Sequence, residues 1–130
     1  MSLVGKWEFV SADNLDQYME STGVPEALRE VARNSKPSMD IVQSGDSWSI
    51  KTTVGETVKD TTFKIGEEFE SKSLTGQNLK CIVTMEGDKM TEVQTAGDVK
   101  VVITREVAGN ELVSKMAFGS VVAVVKFAKA

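Results

Sequence analysis

Histidine is absent from the 130 residues of this chain, and cysteine occurs once, at Cys81. Without histidine there can be no Ser-His-Asp triad, no histidine general base and no histidine metal site. One cysteine can form neither a zinc site nor an intramolecular disulfide. These absences predict a protein that is not an enzyme, with no catalytic residues, no metal and no cofactor.

Positive charge and long apolar runs are also scarce. Lysine and arginine total 15 against 19 acidic residues, a net charge of −4, whereas nucleic-acid binding requires a basic face. No run approaches the ~20 apolar residues of a membrane span, and the first residues lack the features of a signal peptide. We therefore expect one domain over residues 1–130, a cytoplasmic location and no nucleic-acid partner.

Proline is rare, with two residues, but the ten glycines are placed regularly. Glycine readily adopts the positive φ angles that tight hairpins require. A glycine recurring every ten to twelve positions therefore predicts a β-meander with one strand in each gap. The recurring glycines are Gly45, Gly55, Gly66, Gly76, Gly87, Gly97, Gly109 and Gly119.

The meander is interrupted once, after a first strand predicted over 5–10. Asn14 can cap a short helix through Met19, and Pro25 can open a second helix before Pro37 stops it. The apolar residues of the two helices are Leu15, Tyr18 and Met19 in the first and Leu28, Val31 and Ala32 in the second. The remaining predicted strands cover 38–44, 47–54, 58–65, 68–74, 78–86, 89–95, 98–107, 111–118 and 120–128.

Ten antiparallel strands indicate an all-β fold, an up-and-down β-barrel with a helix-turn-helix lid between strands 1 and 2. An eight-stranded barrel is about filled by its own side chains, so a wider barrel encloses space for an apolar molecule. Alternation along the strands predicts which residues face inward. They are Trp48, Ile50, Thr52, Leu79, Cys81, Val83, Met85, Val99, Val101, Ile103 and Arg105.

Four stretches resemble the cytosolic fatty-acid-binding proteins in order and spacing. They are Gly5-x-Trp7, the helix pair before Lys36-Pro37, the segment Phe63–Glu70, and Thr104-Arg105-Glu106-Val107 with the Gly109-Asn110 turn. The resemblance covers the whole chain and implies a calycin-like barrel with an internal site for one or two amphipathic lipids.

Within that family, some segments are most similar to the liver-type and bile-acid-binding branches. These segments are Val24–Leu28, Ile41–Gln43 and Asn78–Cys81. The strand that carries Arg105 is more similar to the intestinal and heart types. The family relationship therefore implies a fatty acid, a bile acid or a retinoid as the ligand.

Arg105 is the leading candidate for the headgroup site, because an unpaired charge on an inward face is costly. The family places a carboxylate-binding arginine at this position. The alternative partner of Arg105 is Glu92, because the alternation along its strand could also turn the Glu92 side chain inward. The family's second arginine and its tyrosine on the last strand are replaced here by Val125 and Phe127, so the usual polar clamp is missing.

Other polar residues could then assist the headgroup. Gln94, Thr61 and Thr52 stand at positions that the strand alternation turns inward. Lys59 could meet a headgroup near the mouth, although an ordinary solvated lysine at a strand end is the favoured explanation. Apolar residues at inward positions would line the cavity or form the core, two roles that overlap in a hollow barrel. The candidates for lining are Trp48, Ile50, Phe63, Val83, Val125 and Phe127.

The sequence thus predicts a non-enzymatic intracellular carrier, a monomer that binds a long-chain fatty acid or related amphipathic lipid. Arg29, Arg33 and Lys36 near the second helix suggest transient contact with anionic membranes through the lid, although helix-dipole complementarity also explains them. A bile-acid or retinoid carrier of the same fold is the nearest alternative. A secreted lipocalin-like carrier and an enzyme are the alternatives from other classes.

Overall fold

A computed structural model describes residues 3–21, 23, 25–27, 29–30, 36–55, 57–72, 78–87, 89–97 and 99–130. The elements are β1 Gly5–Asp13, α1 Leu15–Ser21, β2 Ser38–Ser44, β3 Ser47–Val54, β4 Thr57–Lys64, β5 Phe69–Lys72, β6 Asn78–Glu86, β7 Lys89–Ala96, β8 Val99–Ala108, β9 Glu111–Phe118 and β10 Val121–Lys129. Strands β2, β3, β6 and β9 have the bounds that the sequence predicts, and the others differ mainly by one to three residues at an end.

The strands form one ten-stranded antiparallel sheet in the order β4-β3-β2-β1-β10-β9-β8-β7-β6-β5. Strand β1 pairs with both β2 and β10 and so joins the first and last strands of the chain. The sheet curls into a nearly closed barrel whose two edges are β4 and β5. The rings of Phe63 on β4 and Phe69 on β5 stack across these ends, with centroids 5.3 Å apart and planes 13° apart. The predicted ten-stranded barrel is confirmed.

Strand β1 continues to Asp13, beyond the predicted end at residue 10. Its pairing with β10 shifts between Phe9 and Ser11, as in a β-bulge. A bulge inserts an extra residue and breaks the alternation on which the prediction depends. At β5 the prediction of 68–74 is too long at its start, because the strand begins at Phe69, while residues 73 and 74 lie outside the described residues.

The first predicted helix is α1. Asn14 has a φ of +62°, its carbonyl accepts from the amide of Tyr18 at 3.1 Å, and its side-chain Nδ2 donates to the Val122 carbonyl at 3.1 Å. Asn14 therefore ties the start of α1 to β10. Met19 is the buried residue of this helix, with Leu15 and Tyr18 half-buried beside it.

The second predicted helix is described only in part. Residues 26, 27, 29 and 30 are helical, and the amide of Arg29 donates to the Pro25 carbonyl at 3.0 Å. Leu28, Val31 and Ala32, which were predicted to form its apolar stripe, lie outside the described residues.

The hairpin turns use glycine as the sequence predicts. Described turn glycines such as Gly87 and Gly109 have φ of +62° and +64°, a region that residues with a Cβ rarely adopt. These turns fix the register of each hairpin and so decide which side chains point inward.

The core lies on the inner face of the barrel. It joins residues from strands all around the sheet, and the largest fully buried side chain is Trp7, which donates from Nε1 to the Leu3 carbonyl at 2.9 Å. The buried cluster comprises Leu3, Trp7, Met39, Ile41, Trp48, Ile50, Phe63, Val83, Met90, Leu112, Val125 and Phe127.

Candidate functional site

The candidate residues share the inner face. Residues directly opposite one another on paired strands point to the same side of a sheet, and Trp48 lies opposite Phe63 while Ile50 lies opposite Thr61. Trp48, Ile50, Phe63, Val83, Arg105, Val125 and Phe127 are buried, and Thr52, Thr61 and Gln94 are half-buried. Most of these buried residues belong to the core cluster, so the structure gives them a packing role alongside any contact with a ligand.

Arg105 stands in a row of inner-face residues across four strands. It lies opposite Met90 on β7 and opposite Ser114 on β9, and Ser114 in turn lies opposite Val125 on β10. The row of residues through Arg105 is therefore apolar apart from the buried Ser114 hydroxyl, whereas Glu92 and Gln94 add polar groups on the same face of β7. Val125 and Phe127 bring no charge to this face, as the sequence indicated.

Glu92 is the partner of Arg105 in the structure. Nη1 of Arg105 donates to Oε1 of Glu92 at 3.0 Å, and Nε2 of Gln94 donates to Oε2 of the same carboxylate. Both charged residues are buried, with 8% of Arg105 and 7% of Glu92 exposed. Nε of Arg105, however, is buried without a hydrogen-bond partner. The pair thus leaves the Nε donor of the guanidinium unused.

The electrostatics of this pair favour the ionised carboxylate. Burial alone would raise the pKa of Glu92, but the Arg105 charge, the hydrogen bonds from Gln94 and Arg105, and the Lys59 charge together lower it. A carboxyl whose pKa is lower in the folded state stabilises the fold above its unfolded pKa, near 4.3. That contribution is lost as the pH falls through the folded pKa.

Tyr18 extends the site to the helix. Burial and the Glu92 charge raise the pKa of Tyr18 to about 12, with Arg105 opposing. The phenol is therefore protonated near neutral pH and can donate a hydrogen bond. Helical periodicity predicts Tyr18 on the apolar face of the helix, but it does not show what that face packs against, so the sequence did not predict Tyr18 at the site.

Lys59 and Cys81 belong to the same electrostatic environment. Lys59 lies opposite Thr52 on the inner face and is half-buried. Burial and the Glu92 charge raise the pKa of Cys81 to about 11, with Lys59 opposing. Since the thiolate is the reactive form of cysteine, Cys81 is a neutral, buried side chain near neutral pH.

A cleft of about 380 Å³ lies between the two ends of the sheet. It is lined by Val58, Lys59, Asp60, Thr61 and Thr62 of β4 and by Glu70 and Ser71 of β5. Lys59 and Thr61 therefore border both this cleft and the inner face of the barrel.

The charge of Arg29 is compensated within the helical segment. Its side chain, 16% exposed, forms ion pairs with Glu26 and with Asp16, the latter at 3.8 Å. The exposed Lys36 is the remaining described cation of the proposed membrane-facing group, because Arg33 lies outside the described residues.

Neither a metal site nor a membrane-spanning helix is found in the described part of the chain. No group of three or more histidine, cysteine, aspartate or glutamate side chains there could hold a metal ion. Likewise, no helix within those ranges has the length and apolar character needed to cross a membrane.

Comparison with known proteins identifies the barrel over its whole length. The model of the family described as lipocalin / cytosolic fatty-acid binding protein matches residues 1–129. Fatty acid-binding protein homolog 6 of Caenorhabditis elegans is 34% identical over 124 residues, which cover 92% of this chain and 90% of that protein.

Solved structures agree with the sequence comparison. The REP1-NXSQ fatty acid transporter superposes with a TM-score of 0.94 at 30% identity, over 98% of this chain and 96% of that one. The Schistosoma mansoni fatty acid binding protein in complex with arachidonic acid superposes with a TM-score of 0.92 at 30% identity, over 98% and 95% of the two chains.

Proposed function

The chain belongs to the lipocalin and cytosolic fatty-acid binding protein family, and on that premise we propose that its barrel binds and carries a long-chain fatty acid. The observation that carries this proposal is Arg105, buried on the inner face beside Glu92 and the apolar Met90 and Val125, with its Nε unused. A fatty acid offers a carboxylate for that donor and an acyl chain for the apolar residues. The relatives named above bind or transport fatty acids by their own descriptions.

The energetics of such a complex are favourable. Roughly fifteen buried methylenes at ~0.8 kcal/mol each give ~12 kcal/mol before the costs of association and ordering. What remains corresponds to a micromolar to sub-micromolar dissociation constant. The acyl chain therefore supplies most of the affinity, and the headgroup contacts decide which lipids are preferred.

Members of this family are carriers and not enzymes, which confirms the prediction that the protein is non-enzymatic. We further propose that it is a cytoplasmic monomer that exchanges lipid with membranes through its helical segment. Lys36, two residues before β2, is exposed, and anionic lipid surfaces attract such a charge.

Membership of the liver-type or bile-acid-binding branch is a finer proposal. It is supported by the similarity of Val24–Leu28, Ile41–Gln43 and Asn78–Cys81 to those branches. Bile salts are accordingly the second ligand class, since they are also amphipathic anions. The same titration can test both classes.

Displacement of an environment-sensitive apolar dye tests the proposed function. We expect the dye to bind with micromolar affinity and oleate to displace it competitively at a stoichiometry of one or two per barrel. Taurocholate should displace it at lower concentration than oleate only if the bile-acid alternative is right. Fluorescence that stays at its baseline, or dye that neither ligand displaces, would contradict the proposal.

Asn14 offers a test of the helical lid. Asn14→Gly keeps the positive φ but removes the hydrogen bond to the Val122 carbonyl, which is worth about 0.5–1.5 kcal/mol. We expect stopped-flow release of oleate to accelerate about two- to tenfold, because α1 is less firmly tied to β10. Gln17→Ala, at an exposed position of the same helix, is the control and should release oleate at the parent rate. Equal rates in all three proteins would place ligand exit elsewhere.

A further inference from the structure

The ion pair between Arg105 and Glu92 creates a difficulty for an anionic ligand. A carboxylate that approaches Arg105 also approaches Glu92, which already neutralises the guanidinium at 3.0 Å. Val125 and Phe127 on β10 provide no further cation. If the interior held only this neutral pair, a fatty acid would gain little over the corresponding alcohol.

Lys59 lies where a further cation could act. It shares its face of β4 with Thr61 and the buried Phe63, while Asp60 and Thr62 point to the exposed side. It also lies opposite Thr52, which has inward parity on β3. Its backbone position therefore directs the lysine stem towards the interior, and the residue also lines the β4–β5 cleft.

The Lys59 charge acts across the gap between β4 and β5 on residues of β6 and β7. It lowers the pKa of Glu92 on β7 and opposes the rise in the pKa of Cys81 on β6. Lys59 is half-buried and the Arg105–Glu92 pair is buried, so water screens their charges less than it screens charges at the surface. The Lys59 charge therefore acts on the Arg105–Glu92 pair.

We propose that Lys59 is a ligand-binding residue that supplies the excess positive charge for the ligand's carboxylate, while Glu92 holds Arg105 as a donor through its free Nε. The positive charges of Arg105 and Lys59 and the negative charge of Glu92 sum to a net charge of +1, which one ligand carboxylate balances. This assignment rests on the proposed fatty-acid function and deepens it, because it predicts a preference for anionic over neutral lipids without a second arginine. A flexible lysine stem can lie along apolar residues while its ammonium meets the headgroup.

Isothermal titration of oleate and of oleyl alcohol tests the assignment. Lys59→Gln should weaken oleate binding about tenfold and change the alcohol affinity less than twofold. Lys64→Gln removes a lysine from an exposed position of the same strand, so it should leave both affinities unchanged. Lys59→Arg keeps the charge and should retain most of the oleate affinity.

The possible outcomes separate this inference from the proposed function. A Lys59→Gln variant with the wild-type acid-to-alcohol affinity ratio would overturn the role of Lys59 while leaving the carrier function intact. Equal losses in Lys59→Gln and Lys59→Arg would overturn it too, since packing and not charge would then matter. Absence of binding of either ligand to the wild-type protein would overturn the proposed function itself.

Discussion

Replacing Arg105 by glutamine should weaken oleate binding by about 1–3 kcal/mol, roughly five- to 150-fold, while barely changing the affinity for oleyl alcohol. The substitution removes the charge-assisted hydrogen bond that Nε can offer to a carboxylate. The alcohol loses little because it brings no charge to the site. Titration calorimetry of oleate and oleyl alcohol against the wild-type and variant proteins measures the ratio of the acid affinity to the alcohol affinity directly.

The same substitution should lower stability, because it leaves the Glu92 carboxylate buried without its ion-pair partner. Breaking a buried pair in this way costs about 3–5 kcal/mol near neutral pH. The difference should narrow as the solution is acidified, since the wild-type protein loses the contribution of Glu92 below its lowered pKa. Urea unfolding at several pH values would show this convergence.

The double variant Glu92→Gln/Arg105→Gln is the matched control, because it replaces the ion pair by two neutral amides, one isosteric with Glu92 and one shorter than Arg105. We expect most of the lost stability to return while oleate binding stays weak. If the single variant loses stability but keeps the wild-type acid-to-alcohol ratio, Arg105 serves only to neutralise Glu92 and has no part in headgroup binding.

Trp7→Ala should destabilise the barrel by about 3–5 kcal/mol, the usual cost of removing a buried aromatic side chain. Trp7 is 2% exposed, donates to the Leu3 carbonyl at 2.9 Å, and lies with its ring centroid 5.0 Å from the Lys129 ammonium. Alanine abolishes all three interactions and leaves a cavity in the inner cluster. Urea denaturation followed by far-UV circular dichroism measures the change in the free energy of unfolding.

Val122→Ala, at an exposed position of β10, is the control and should change stability by less than about 0.5 kcal/mol. Trp7→Phe should fall between the two, because it keeps an aromatic ring but loses the indole hydrogen bond. A loss below about 1 kcal/mol in Trp7→Ala would mean that the barrel does not depend on this contact.

The strands were predictable wherever alternation is unbroken. Along β6, apolar residues stand at every second position from Leu79 to Met85, and glycines flank the strand in the sequence, so the inner face follows directly from the sequence. The shift in strand register between Phe9 and Ser11 of β1 breaks that pattern, and the local sequence does not predict this shift. The sequence also cannot show that the helix brings Tyr18 close to Glu92 and Arg105.

The candidate site was only partly predictable, because it depends on how neighbouring strands align. Glu92 lies opposite Ile103, and Arg105 lies opposite Met90, so the ion pair spans a diagonal between β7 and β8. Long side chains reach such diagonal neighbours, but the pairing requires both the register and the rotamers. The alternation of side chains along each strand could place Glu92 and Arg105 on the same face of the sheet. It left open whether the two side chains form an ion pair.

The central claim is that the acyl chain of a fatty acid occupies the interior of the barrel. Isotope-filtered NOE spectroscopy on ¹³C-labelled protein with unlabelled oleate tests it most directly. We expect cross-peaks from acyl-chain protons to the methyl groups of Ile50, Val83 and Val125, which are buried on the inner face. Cross-peaks confined to exposed methyl groups such as those of Val42 and Val122 would place oleate on the outer surface and contradict the account.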